Sequence, residues 1–137
     1  PWARVCALPA FWTGILYNDE YLDNIWNLVK HWKFFDIQNF YKEVREKGMN
    51  ASTPDAESLL NFAEKILNFS SDGLQKRNIF LDGNNESVFL DPLKKIIKSR
   101  KSPAEMWKKL FLEEWNNNVD MLYRTNYFKV LEENEKI

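Results

Sequence analysis

The 137 residues of the chain are enough for one folded domain with a single hydrophobic core, and we expect no second domain. Nineteen basic and twenty acidic side chains nearly cancel, to a net charge of −1, which gives no global field for binding nucleic acid or an anionic membrane. One cysteine and one histidine do not supply the ligands of a structural zinc site, so no metal site is expected in this chain.

The apolar stretches are shorter than the roughly 20 residues that a membrane helix needs, and the first residues lack the basic region of a secretory signal peptide. We therefore expect no membrane span and take a cytoplasmic protein as the default. Aromatic residues make up 15% of the chain, a high share, which indicates large rings packed in a core or against a partner.

Glycine is scarce and apolar residues recur at helical spacing, so the sequence predicts an all-α fold with six or seven helices. The first helices in chain order are a buried helix after Pro9, a second over 20–32 with Asp19 as its N-cap, and a third from Asp36 to Gly48.

The fourth predicted helix has the fullest set of start signals. Thr53 is a typical N-cap residue, Pro54 suits the first helical position, and Asp55 adds negative charge to the first turn. We expect this helix to end near Gly73. A surface loop is then expected over 74–87, because that segment contains the turn-forming run DGNNES.

A fifth helix is predicted over 88–99, and the run SPAE that follows it is typical of a capping box. In this box Ser102 is the N-cap, Pro103 takes the first helical position and Glu105 reaches back to the N-cap backbone. A last helix is expected from Val119 onward.

No motif in the sequence indicates catalysis by this segment alone. The chain has no phosphate-binding loop, no GxGxxG and no HExxH. His31 lies near a predicted helix end, where an exposed histidine is more common than a general base. Cys6 is expected to be a small buried hydrophobic residue, unless Arg4, on the same face of an extended segment, activates its thiol.

A basic cluster, KKIIKSRK, runs from Lys94 to Lys101. Contact with phosphates is one interpretation of this cluster. The other is the solvated side of an amphipathic helix, which is favoured because Ile96 and Ile97 face the opposite way.

The first nineteen residues, PWARVCALPAFWTGILYND, resemble a segment of plant and proteobacterial glutamate-cysteine ligases with the pattern PWxRLCALPAFWxGLLYD. Val5 and Ile15 stand where that pattern has leucine. Further motifs of the family follow in the same order along the chain. They are GLxxR at Gly73, Leu74 and Arg77, FLxPLxxI from Phe89 to Ile96, SPAE from Ser102 to Glu105, EW at Glu114 and Trp115, and VD at Val119 and Asp120.

The resemblance implies the first step of glutathione synthesis, in which ATP activates the glutamate γ-carboxylate as an acyl phosphate and the amine of cysteine attacks it. Mg²⁺ and ATP would be cofactors of the complete enzyme, with none in this segment. In this family the metal ligands and substrate-binding arginines lie largely upstream, on a sheet related to glutamine synthetase. The chain, residues 1–137, would then be a single helical C-terminal segment, an irregular array packed on that missing catalytic sheet, without a complete active site.

The resemblance assigns no catalytic and no metal-binding residue to this chain. It places Trp2 and Arg4 nearest the substrate cleft of the complete enzyme. The implied partners are the upstream catalytic portion of the same ligase and, through it, glutamate, cysteine and ATP, with no nucleic acid and no membrane; a homodimer is left open. The alternative from another class is a free-standing helical protein-interaction module that binds a protein through its aromatic surface.

Overall fold

The computed structural model describes residues 2–121 of the chain, and for residues 2–4 it describes the backbone alone. Six α-helices and one small hairpin make up most of the described part, which confirms the all-α prediction. The helix predicted from Val119 lies largely outside the described residues. In chain order the elements are α1 (Trp2–Leu16), α2 (Asp19–Val29), α3 (Phe34–Lys47), a 3-10 turn (Gly48–Asn50), α4 (Leu59–Arg77), β1 (Phe80–Leu81), β2 (Asn84–Asn85), a second 3-10 turn (Glu86–Leu90), α5 (Asp91–Ser99), α6 (Pro103–Lys109) and a π-helical turn (Leu110–Glu114).

The centre of the fold is a close crossing of α1 and α4. A Cβ atom added at Gly14 would overlap the backbone carbonyl of Ser70, and one added at Gly73 would overlap the carbonyl of Gly14. Glycine at both positions is therefore what lets the two backbones approach each other. The Ser70 hydroxyl donates a hydrogen bond to the Phe11 carbonyl at 2.8 Å, which ties the two helices together at the same point.

The hydrophobic core is built around this crossing. Leu67 and Leu74 of α4 and Leu90 of the second 3-10 turn are buried, and apolar residues of α1 and α5 pack against them. Burial of a leucine side chain stabilises a fold by roughly 1.5–3 kcal/mol, so this cluster fixes α5 and the 3-10 turn onto the α1–α4 pair. No helix of the described residues has the length and apolar character that spanning a membrane requires.

Helix α1 begins earlier than predicted and contains Pro9 in its interior. Pro9 has no N–H to donate to the carbonyl of Val5, so one helical hydrogen bond is missing there. The backbone there is helical, so the extended segment that was expected to place Arg4 and Cys6 on one face does not form. Cys6 is half-buried.

The next two helices also begin earlier than predicted. Asn18, and not Asp19, is the N-cap of α2, since its side-chain oxygen accepts a hydrogen bond from the Tyr21 backbone N–H at 3.1 Å. In α3, Asp36 is the third helical residue, and its carboxylate accepts a hydrogen bond from the Lys33 backbone N–H at 2.9 Å. Each acidic residue lies in the first turn, where negative charge is favourable.

The predicted start of the fourth helix at Thr53 is wrong. Helix α4 begins at Leu59, and 52–58 form a closed turn that an antiparallel bridge joins at its two ends. The Thr53 hydroxyl accepts a hydrogen bond from the Glu57 backbone N–H at 3.2 Å, one residue beyond the N–H groups that an N-cap side chain bonds at a helix start. Ala56, however, has a φ of +61°, a left-handed conformation that a right-handed helix cannot contain.

Residues 74–87 differ from the surface loop expected there. Helix α4 continues to Arg77, because Leu74 is buried in the core, and it ends at Asn78 in the left-handed conformation typical of a C-terminal cap. The hairpin of β1 and β2 follows. Its two-residue turn, Asp82–Gly83, has positive φ at both positions, as the tight turns of hairpins require.

The capping box predicted for α6 is confirmed. The Glu105 backbone N–H donates to the Ser102 hydroxyl at 3.2 Å, and the Ser102 backbone N–H donates to the Glu105 carboxylate at 2.6 Å. The hydrogen bond from the Ser102 backbone holds the pKa of Glu105 below its ordinary value. Both hydrogen bonds of this helix start join residues three apart in the chain, so the sequence alone predicts it.

Candidate functional site

Helix α1 carries an apolar stripe on its exposed side. Its members recur at i, i+3, i+7 and i+11, the spacing of one helix face, and each is 51–61% exposed. Elsewhere on the same helix Ala7 and Ile15 are buried. A helix that is apolar on all sides is usually buried on all sides. The exposed face of α1 is therefore a candidate surface for contact with a packing partner. The exposed residues, called the α1 stripe below, are Val5, Leu8, Trp12 and Leu16.

An aromatic and charged cluster lies at the C-terminal end of the α1 stripe. The Tyr17 side chain is exposed, and the Arg77 guanidinium carbon is 4.9 Å from the centre of its ring. Arg77 Nε also lies 3.5 Å from Glu86 Oε2, a buried oxygen for which Arg77 supplies the opposite charge. Exposed tyrosine with stacked arginine is the combination found at energetically important points of protein interfaces.

Helix α3 presents a second apolar stripe. Phe34, Ile37 and Tyr41 share one helix face and are 50–75% exposed. Together with the α1 stripe, this face leaves more large apolar side chains in solvent than a folded domain needs to expose on its own. The exposed aromatic surface thus agrees with the high aromatic content of the sequence.

A hydrogen-bonded cluster joins the end of α2 to the 52–58 turn. His31 Nε2 lies 2.8 Å from one carboxylate oxygen of Asp55, and Trp32 Nε1 donates to the other oxygen at 2.8 Å. These two hydrogen bonds, the one with His31 first, hold the pKa of Asp55 below its ordinary value. The Trp32 ring packs against Phe40 and Phe62, with ring centres 5.7 and 5.4 Å apart.

This cluster explains why the fourth helix does not begin at Thr53. The carboxylate of Asp55 is held by His31 and Trp32, which come just after α2. It is therefore not free to take a place in the first turn of a helix. His31 is a half-exposed histidine near a helix end, and its Nε2 atom is engaged by Asp55. The geometry therefore indicates a structural connection between α2 and the turn.

The two residues placed nearest a substrate cleft, Trp2 and Arg4, lie in the first turn of α1. Their side chains are outside those that the structure describes, so their role stays a prediction. Within residues 2–121, no group of three or more histidine, cysteine or acidic side chains is arranged to hold a metal ion.

Comparison with known proteins shows the same relatives that the opening motif indicates, although no family model matches the chain. The chain is 34% identical over 124 residues to the chloroplastic glutamate-cysteine ligase of Arabidopsis thaliana, a match that covers 90% of the chain and 22% of that protein. The ligase of Medicago truncatula is 33% identical, with 90% and 23% covered. Ligase A of Oryza sativa subsp. indica is also 33% identical, with 90% and 24% covered.

The expected cytoplasmic location is contradicted by these names. The relatives from Arabidopsis, Medicago, Brassica juncea and rice are all named as chloroplastic proteins, and a cytoplasmic location does not agree with those names. The cytoplasmic default came from composition and from the lack of a secretory signal, and neither property distinguishes one internal compartment from another.

The matched length is also informative. The chain spans less than a quarter of each of these three ligases, while nine-tenths of the chain itself is matched. This pattern favours a piece of a ligase over a free-standing interaction module. Over nine-tenths of its length, the chain is similar to a segment that makes up between a fifth and a quarter of plant glutamate-cysteine ligases.

Proposed function

We propose that the chain is the C-terminal part of an ATP-dependent glutamate-cysteine ligase, an enzyme of the first step of glutathione biosynthesis, located in a plastid. The observation that carries the proposal is the similarity of 90% of the chain to a partial segment of such ligases. In the proposed reaction ATP transfers its γ-phosphoryl group to the glutamate γ-carboxylate. The cysteine amine then attacks the acyl phosphate, the amide bond forms and phosphate leaves.

The catalytic part of the enzyme is proposed to lie outside this chain. Phosphoryl transfer of this kind needs Mg²⁺ to neutralise phosphate charge and cationic groups to hold the substrate carboxylates. In this proposal those groups, with ATP, glutamate and cysteine, belong to the rest of the ligase, by which we mean the part outside residues 1–137. The present segment has a supporting role there.

The α1 stripe is the surface proposed to contact the rest of the ligase. Trp12 lies in the middle of the stripe, and Tyr17 with Arg77 lies at its end, so the three residue types most common at interface centres occur together. Trp2 and Arg4 begin the same helix. Packing of α1 against the catalytic sheet would bring that first turn toward the substrate cleft, and homodimer formation stays a prediction beside it.

Assays of two proteins test this function. The complete gene product is expected to form γ-glutamylcysteine from glutamate, cysteine and ATP, and the isolated 137-residue chain is expected to form none. The complete product with ATP omitted serves as the control. Activity of the isolated chain would contradict the proposed division of the active site, and an inactive complete product that is folded would contradict the ligase function itself.

A further inference from the structure

Helix α6 and the π-helical turn that continues it have an uncovered apolar surface. Among the described elements α6 packs chiefly against that turn, and no residue over 103–119 is buried. A depression of about 580 Å³ runs along this segment. Its apolar lining, called the α6 surface below, consists of Met106, Leu110 and Leu112, of which Met106 and Leu112 are 45% and 49% exposed.

The charged side chains around the α6 surface balance one another. Three lysines and three glutamates line the same depression, and Lys109 Nζ lies 3.6 Å from a carboxylate oxygen of Glu113. Charge therefore favours neither a strongly acidic nor a strongly basic partner. The lining charges are Lys101, Lys108, Lys109, Glu105, Glu113 and Glu114.

The chain turns back directly after the π-helical turn. Asn116 and Asn117 have φ values of +48° and +62°, the left-handed conformation that commonly ends a helix. The Asn117 backbone N–H donates a hydrogen bond to the Phe111 carbonyl at 2.9 Å, which closes this reversal. Two helices joined by so short a connection are typically antiparallel neighbours.

A new helix begins immediately after the reversal. The side-chain oxygen of Asn118 accepts a hydrogen bond from the Asp120 backbone N–H at 3.0 Å, as an N-cap does. The Asn118 carbonyl accepts another from the Met121 backbone N–H at 3.3 Å, and residues 120 and 121 are helical. The described part of the chain thus ends in the first turn of a helix.

The sequence after Met121 has the apolar pattern that a partner of the α6 surface needs. Tyr123, Tyr127, Val130 and Leu131 recur at i, i+4, i+7 and i+8, the spacing of one helix face. A helix over 119–131 would be about 20 Å long, enough to run back along α6 and the π-helical turn.

We propose that residues 122–131 of this same chain dock on the α6 surface, as the second half of an antiparallel helical hairpin. The short connection decides the occupant, because it holds this segment beside the α6 surface at a high effective concentration, against which any separate chain must compete. The apolar side chains of the segment would cover Met106, Leu110 and Leu112. The proposal goes beyond the ligase function and does not depend on it.

Photo-crosslinking in the complete gene product tests the proposal. A p-benzoylphenylalanine at position 106 is expected to crosslink to residues 122–131 of the same chain, which peptide mass spectrometry identifies. Mixing isotope-labelled with unlabelled protein separates crosslinks within one chain from crosslinks between two copies. The same group at exposed position 104, on the opposite side of α6, is the control and is expected not to reach that segment. A crosslink from position 106 to a second copy or to any other segment, or no crosslink, would overturn the proposal.

Amide hydrogen exchange gives a second measurement. Tyr127→Ala/Leu131→Ala removes two side chains of the apolar pattern and is expected to speed exchange in the peptide over 103–115 by about tenfold. The matched control, Thr125→Ala/Lys129→Ala, changes two residues on the other side of the same segment and is expected to stay within about twofold of the parent protein. Equal exchange in the two variants would contradict the proposal, whether or not the protein is an active ligase.

Discussion

The close crossing of α1 and α4 predicts that Gly73→Ala destabilises the fold. Replacing Gly73 with alanine places a Cβ atom where the Gly14 carbonyl oxygen already lies. That neighbour is backbone, so no side chain can turn away to make room. The two helices must move apart for the variant to fold.

The magnitude results from opposing effects. Alanine favours a helix over glycine by about 0.8–1.0 kcal/mol, which alone would stabilise the variant. Overpacking of a close contact costs about 1–3 kcal/mol, occasionally more. Separation of the helices also lengthens the hydrogen bond from Ser70 to the Phe11 carbonyl, with a contribution of about 1 kcal/mol. The net loss expected for Gly73→Ala is therefore about 1–3 kcal/mol.

Urea unfolding of the isolated chain, followed by circular dichroism, measures this loss. Ser70→Ala, which removes the hydrogen bond without adding an atom at the crossing, is expected to lose about 1 kcal/mol and separates the two contributions. A Gly73→Ala variant as stable as the parent chain, or more stable by the amount that helix propensity supplies, would refute the close crossing.

Three other predictions follow from the clusters. The lowered pKa of Asp55 stabilises the fold above about pH 4, and this stabilisation is lost as the pH falls further. Asp55→Asn is therefore expected to lose less stability than the parent chain on acidification, as urea unfolding at several pH values would show. An equal loss of stability with falling pH in both proteins would contradict this. Arg77→Ala leaves the buried Glu86 oxygen without its cation and is expected to lower Tm, with Arg77→Ala/Glu86→Gln less affected; equal losses would argue against the pair. Trp12→Ser is expected to leave the isolated chain folded and to destabilise the complete ligase, as thermal unfolding would show; equal losses in both would place Trp12 in the chain's own core.

A short sequence motif predicts structure well where its residues form hydrogen bonds only with near neighbours in the chain. The α6 capping box is one case, because Ser102 and Glu105 satisfy each other within four residues. The same kind of signal at Thr53 fails, because Asp55 is held by His31 and Trp32, which are more than twenty residues away. A tertiary hydrogen bond overrides the helix signal, and no pattern around Thr53 reveals it.

The candidate surfaces show a different limit of prediction from the sequence. The run around Trp12 is apolar on nearly all sides, which predicts a buried helix. The structure shows that α4 covers one face of this helix and that the face with Trp12 is exposed. The basic residues of α5 are visible in the sequence as a solvated face. Their position relative to α4 depends on how α5 packs against that helix, and this packing is not encoded in the local pattern.

The claim that this chain is part of a glutamate-cysteine ligase is tested most directly by immunodepletion. An antibody raised against the 137-residue chain, applied to an extract of cells that express the gene, is expected to remove γ-glutamylcysteine-forming activity together with a polypeptide several times longer than the chain. A pre-immune antibody should leave that activity in place. Complete removal of the recognised polypeptide with no loss of ligase activity would contradict the assignment.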